Sequence, residues 1–431
     1  MRVVAILLVL AGCYHPSYRD CEVGCTTTCP DGLTCDGHMC RVAGAVGECA
    51  SLPPTDGGSD AGSGSGSGSA TGTMLALAAA DRTCAACSDG SLWCWGENDI
   101  GQTTGSPQTT CTGSSPDCSP MPVSITLADT SGILGLSGGN STTYAIAMKT
   151  DAAHLFAWGD NSSTQWGQSA PLASIDPVNI GYTGLTDVAA GDSHSCELQA
   201  ARVSCAGGNA SGQLGDGNTM PHNGPYSFGA ATGTALAGHG DHTCLLFTAN
   251  GQTMPQLECW GDNSHGQITG TATASPISSP APISSFIGVS SFTAGANHTC
   301  LVLGGVVHCW GQNTQGQCGS MNTAGDVGFT LVQGVSDVVE VSAGAAQTCA
   351  RTSTGDVWCW GAASPAPAQP VPMQIQLPLP AIAITVGRFH SCAILDDHTL
   401  WCWGGNQWGQ VTGDGSHDGQ THVPTHVPIC D

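Results

Sequence analysis

Positive charge is almost absent from this 431-residue chain. One lysine, Lys149, and seven arginines stand against 32 carboxylates, a formal net charge of −24. A surface so acidic repels phosphate backbones, which argues against nucleic acid as a partner and against electrostatic adhesion to anionic lipid. Charge of either sign is scarce, 9% of residues against about 25% in ordinary soluble domains. Long apolar runs are missing too: Val3 to Leu10 is too short to cross a bilayer as a mature helix. There is no nucleophile elbow, phosphate-binding loop, His-Glu-x-x-His or dinucleotide fingerprint, so no catalytic residue, cofactor or metal is expected.

Glycine (61 residues), cysteine (24) and a repeated unit fill the chain instead. The unit is clearest at His390-Ser391-Cys392-Ala393-Ile394, a turn at Asp396–Asp397, then Leu400-Trp401-Cys402-Trp403-Gly404-Gly405-Asn406 and Gly409-Gln410. It reads as a β-hairpin closed by a glycine-rich corner. Corner glycines recur at Gly96, Gly159, Gly207, Gly261, Gly311, Gly361 and Gly404, 43 to 63 residues apart. Each interval has room for about four short strands, the content of one propeller blade. The expected fold is all-β: a seven-bladed β-propeller over 74–431, preceded by a small disulfide-rich module and a flexible linker. The segment Thr421–Pro428 resembles the Pro-Val strand missing before the first hairpin, so this tail is expected to complete the first blade and close the ring.

The run Ala294-Gly295, His298-Thr299-Cys300 and Cys309-Trp310-Gly311-Gln312-Asn313-Thr314-Gln315-Gly316-Gln317 resembles the repeat of the regulator of chromosome condensation family, whose members form seven-bladed propellers. The resemblance covers roughly residues 74–431 and implies the fold; its motif residues are scaffold, so it implies little about activity.

Cysteines test the hairpin reading. Cys84/Cys94, Cys196/Cys205, Cys244/Cys259, Cys300/Cys309, Cys349/Cys359 and Cys392/Cys402 are nine to fifteen residues apart, and in most the midpoint falls on a turn signal. Residues equidistant from a hairpin turn face each other, within reach of a disulfide. The second repeat has Tyr144 and Ala157 in these places, so both cysteines are missing together. Cys111 and Cys118 are expected to close a loop between the first two blades. A bridge from Cys430 to Cys87 would lock the tail and leave Cys318 as the odd thiol, but the spacing does not decide the state of these three. Trp95, Trp158, Trp260, Trp310, Trp360 and Trp403 recur once per repeat and are read as packing between blades, with Ala206 the exception. His194, His242, His298 and His390, spread over four repeats, are read as turn hydrogen-bonders rather than a metal cluster.

At the N-terminus, Leu10-Ala11-Gly12-Cys13 matches the bacterial lipobox, so 1–12 reads as a lipoprotein signal peptide and Cys13 as the lipidated residue. Cys21, Cys25, Cys29, Cys35, Cys40 and Cys49 follow in the module 13–49; they allow fifteen pairings that sequence does not separate. Export favours disulfides there over the zinc site that Cys35, His38 and Cys40 would suggest. Residues 50–73 form a Gly/Ser-rich linker spanning on the order of 27 Å.

The function read from this is a non-catalytic outer-membrane lipoprotein, facing periplasm or exterior, whose monomeric propeller head binds a protein or an envelope polymer. The long segments Thr103–Val123 and Thr269–Ser285 are the candidate binding loops. The resemblance includes a secreted bacterial propeller similar to a protein inhibitor of a β-lactamase, which makes enzyme inhibition the alternative. A polysaccharide-acting enzyme is a third reading. Guanine nucleotide exchange, which some family members perform, is disfavoured by export and the acidic surface.

Overall fold

The computed structural model of the chain describes residues 33–36, 39–42 and 75–430, less the short stretches 104–108, 111–116, 128–129, 131, 140–141, 149–151, 168–170, 200–201, 223, 230–232, 249–252, 363–367 and 418. The signal segment 1–12, Cys13, the linker 50–73 and most of the Cys-rich module lie outside the described residues. The chain divides into two compact units, 1–56 and 57–431. In the first, Leu33–Asp36 and Met39–Val42 pair antiparallel, with Cys35 opposite Cys40 in the backbone register.

The second unit is all-β among its described residues and consists of seven antiparallel sheets in chain order. Blade 1 spans 75–125, blade 2 132–183, blade 3 187–229, blade 4 233–287, blade 5 289–331, blade 6 338–375 and blade 7 381–427. Blade 5 shows the pattern. An inner strand Val289–Ala294 ends in a turn at Gly295, the hairpin His298–Leu303 and Val306–Gln312 follows, and Asp326–Leu331 is the outer strand. Its hairpin turns on Gly304 and Gly305, both at positive φ (58° and 79°), which matches the right-handed strand twist. After the paired cysteine the register to the outer strand shifts at the corner glycine, a bulge present at Cys309/Gly311 and its equivalents in several blades. The corner glycine there sits at φ +109° (Gly311), and a Cβ would strike the carbonyl of Asn297, so the position demands glycine.

The C-terminal strand is not where the sequence suggested. Gln420–Val427 pairs with Leu400–Gly405 in blade 7, its own repeat, not with blade 1. Blade 1 needs no donated strand: Leu75–Ala79 is its inner strand and Asp117–Ile125 its outer one. The Pro-Val strand therefore follows each hairpin rather than preceding it. Prolines lie in the outer strands of blades 1, 2, 4, 6 and 7 (Pro122, Pro177, Pro282, Pro372 and Pro424), where a missing N–H costs no ladder bond.

There is no single central core. Seven buried clusters lie between neighbouring blades, one at each boundary. The last, between blades 7 and 1, joins Leu400, Cys402 and Val427 to Ala85 and Trp95. Cys87 and Cys430 are bonded across this same seam, closing the ring with sulfur rather than by strand exchange.

Candidate functional site

The repeat residues build the boundaries first. In the corner Asn-x-x-Gly-Gln, the asparagine carboxamide accepts from the backbone five residues on (Ile268 N to Asn263 Oδ1, 2.9 Å). The glutamine side chain folds back on the turn (His265 N to Gln267 Oε1, 3.0 Å). That leaves the glutamine carbonyl aimed at the next blade. There it accepts from the tryptophan indole, at 2.9 Å from Trp158, Trp260 and Trp360 and 3.1 Å from Trp95. It also accepts from the strand hydroxyl of Thr83, Thr143, Thr299 or Thr348. All six repeat tryptophans are fully buried. Blade 3, with Ala206 in that place, has Trp166 packed into the boundary between blades 2 and 3 instead.

The histidines form a second belt, which the sequence left as turn residues. His194 Nε2 meets Thr243 Oγ1 at 2.7 Å, His242 meets Thr299 at 3.0 Å, His298 meets Thr348 at 2.8 Å and His390 meets Thr83 at 2.8 Å. Blade 6 substitutes Gln347, whose amide donates to Ser391 Oγ (2.6 Å), and blade 1 substitutes Arg82, whose Nε donates to Thr143 Oγ1 (2.8 Å). Each bond runs from one blade to the next. The hydroxyl protons of Thr83, Thr299 and Thr348 are already given to a glutamine carbonyl, so the histidine must donate from Nε2. Burial holds His194, His298 and His390 down to about 3 and His242 to about 4, so the rings are neutral.

Inside these belts the turns after the inner strands crowd the propeller axis. Asp192 N donates to Gly240 O (2.8 Å), Ala296 N to Gly344 O (3.1 Å) and Arg388 N to Ala80 O (2.8 Å). A Cβ on Gly344 would collide with the carbonyl of Gly387, which accounts for the recurrent Ala-Gly at this point. The turns rim an axial well of about 200 Å³ lined by Ala80, Asp192, His239, Ala296, Ala345 and Arg388.

The same face carries the loops between third and outer strands, and it is acidic. Glu97, Asp99, Asp160, Asp192, Asp241 and Asp262 lie on these turns and corners. Among the described residues the arginines and lysines on this face are Arg82, which is fully buried, and Arg388. The carboxylates feel one another. Burial together with Asp81 and Asp99 lifts Glu97 to about 7, and burial together with Asp192 and Asp262 raises Asp241. Large apolar side chains stand among them: Leu172, Met220 and Met321 are 63%, 68% and 74% exposed.

A family model described as the regulator of chromosome condensation repeat matches residues 338–364 and 381–410. Human WBSCR16 superposes with a TM-score of 0.65 at 18% identity, covering 78% of this chain and 93% of its own. Prp20p of Saccharomyces cerevisiae gives 0.64 at 19%, covering 78% and 85%. The segments in blades 6 and 7 thus carry the regulator-of-chromosome-condensation repeat, and the whole propeller shares its fold with these two proteins. A curated human relative, the probable E3 ubiquitin-protein ligase HERC6, is 28% identical over 209 residues, 45% of this chain; the match spans only 19% of that relative's length.

Across the blades the hairpin cysteines are bonded as Cys84–Cys94, Cys196–Cys205, Cys244–Cys259, Cys300–Cys309, Cys349–Cys359 and Cys392–Cys402, with Cα atoms 4.0–4.1 Å apart. In blade 2 the register sets Tyr144 opposite Ala157, and the Tyr144 hydroxyl donates to the Gln165 carbonyl (3.0 Å). Cys118 is disulfide-bonded; Cys111 falls outside the described residues. Cys318 is a buried free thiol. Of the two candidate loops, Thr103–Val123 is in good part strand, with Thr109–Thr110 added to the edge of Asp117–Ile125. Much of Thr269–Ser285 belongs to the outer strand Ile277–Ile287. Among the described residues no three His, Cys, Asp or Glu side chains gather as a metal would require.

Proposed function

We propose that this chain is a non-catalytic binding module, held to the cell envelope by a lipid on Cys13, that engages a basic region of another protein through the acidic turn-bearing face. The carrying observation is the arc of carboxylates on that face, where burial, with the charges of Asp81 and Asp99 adding to it, lifts Glu97 to about 7. Like charges held together are relieved by a cationic partner, and such complementarity speeds and steers encounter. The exposed Met220 and Met321 offer adaptable apolar contact beside the charge. Leu75 pairs with Ala86 at the opposite face, so the chain enters the propeller away from the acidic side. Prp20p, reported with its binding to Gsp1p and histones, is a protein-binding propeller of similar fold. Were the basic partner an enzyme, the module would act as its inhibitor.

The test exploits the single lysine, Lys149, which leaves the chain almost no amine of its own to couple. Carbodiimide treatment of intact cells joins carboxylates to contacting amines, and mapped peptides should link Asp192, Asp241 or Asp262 to lysines of one recurring protein. Links confined to Asp356, Asp396 and Asp397 on the opposite face, or none, would refute the reading. Labelled palmitate should enter the native chain and not Cys13→Ser.

A further inference from the structure

We infer that the axial well is a receptor for one lysine or arginine side chain of the partner, inserted along the propeller axis. This rests on the acidic-face reading and goes further, because it names the point at which the partner is gripped.

The well is too small for a drug-sized ligand, which fills roughly 300–1,000 Å³; its 200 Å³ suits a single long side chain. Its lining is divided. Ala80, Ala296 and Ala345 contribute methyl groups, while Asp192 and His239 contribute polar atoms from blades 3 and 4. A lysine or arginine is divided in the same way, with an apolar stem and a charged tip. The Nδ1 atom of His239 is buried and has no hydrogen-bond partner, and burial keeps that ring neutral by lowering its affinity for protons. A neutral imidazole nitrogen and the carboxylate of Asp192 can both accept from an ammonium or guanidinium group.

Arg388 also lines the well and would oppose a cation, but its charge is answered locally. Its guanidinium lies 3.7 Å from the buried Asp81 carboxylate and 5.0 Å over the ring of Phe389. What remains around the opening is the acidic arc already described, so the field at the well favours positive over negative groups. A carboxylate guest would face Asp192, and the one cation lining the well, Arg388, is already engaged by Asp81. Blade 4 is distinctive here: it places His239 where blades 2, 3, 5, 6 and 7 have glycine, as though the ring gave up one tight turn to put an imidazole on the axis.

The experiment measures binding of hepta-lysine, and of the same peptide with every side chain acetylated, to the full chain under non-reducing conditions. Wild type should prefer the charged peptide. His239→Leu and Ala345→Leu, the second of which fills the well without touching a charge, should each weaken hepta-lysine binding at least tenfold. Asp356→Asn, on the opposite face, should change it less than threefold, and Asp262→Asn, on the acidic face but outside the well, should weaken it by less than the well variants and mainly through the salt dependence. Thermal melting within a few degrees of wild type establishes that a variant is folded, and two variants protect against one that is not. If both well variants bind like wild type while Asp262→Asn weakens binding, the well is overturned and the acidic face stands. If wild type does not distinguish the two peptides, the well is likewise overturned, and the cross-linking above decides the face separately.

Discussion

A histidine that donates one proton and lacks room for a second is a fastener with an acid limit. His194, His242, His298 and His390 each tie a blade to its successor, and burial depresses all four well below 6.5. A base whose folded pKa is lowered contributes stability that is complete above 6.5 and is lost as pH falls toward the folded value, because the unfolded chain takes up the proton first. Buried carboxylates act oppositely. Asp187 and Glu197, raised by burial to about 7 and about 8, and Glu97 at about 7, favour the folded chain as pH falls through that range. The two effects nearly cancel between about 4.5 and 6.5, so stability should peak near pH 6 and collapse most steeply below about 4.5. Urea unfolding across pH 3–8 checks this; a monotonic rise to pH 8 would contradict it. At neutral pH, His298→Leu should cost about 1–3 kcal/mol, since it removes the donor to the buried Thr348 oxygen, which keeps only its own bond to the Gln317 carbonyl.

The hairpin is the element in which sequence and structure agree most closely, for a mechanical reason. Cys300 and Cys309 stand at matched distances from Gly304-Gly305, and a two-residue turn leaves only one register. The absence of both cysteines from blade 2, replaced by Tyr144 and Ala157, was legible for the same cause. The outer strands were not legible in this way. Pro-Val segments lie toward sheet edges, and in a closed ring each has a hairpin on either side that could own it, so Thr421–Pro428 reads equally as a strand of blade 7 or of blade 1. The belt was hidden because its members differ in type: Arg82, Gln347 and four histidines do one job, and only their common place after the inner strand unites them. Trp166 was hidden because it fills from a corner loop the gap that Ala206 leaves on a strand. Removing one hairpin bridge with Cys300→Ala and Cys309→Ala should cost about 2–3 kcal/mol. Borrowing the blade 2 solution, Cys300→Tyr with Cys309→Ala, should recover part of that loss, as read by thermal unfolding.

At the level of the whole molecule the seam repeats the main hydrogen bonds of the other boundaries, with the Arg388–Asp81 ion pair beside them. Thr83 with His390, Trp95 with Gln410, and Arg388 with Ala80 repeat contacts found elsewhere, and Cys87–Cys430 is the addition. It spans 343 residues, so chain entropy assigns it the largest effect of any bridge described, about 6 kcal/mol. Cys430→Ser should lower the melting temperature more than loss of any single hairpin bridge, and Cys87→Ser should match it. A drop equal to that of the Cys300 pair would show that the seam needs no sulfur.

The same bond governs what happens when the molecule is pulled. Force applied between Leu75 and Cys430 can strip away only the dozen residues before Cys87, about 40 Å of slack, and then bears on a covalent link. Reduce that link and the hoop can unwind blade by blade to a length on the order of 1,000 Å. Held at Leu75 and pulled at Cys430, the propeller would thus stretch a little and hold.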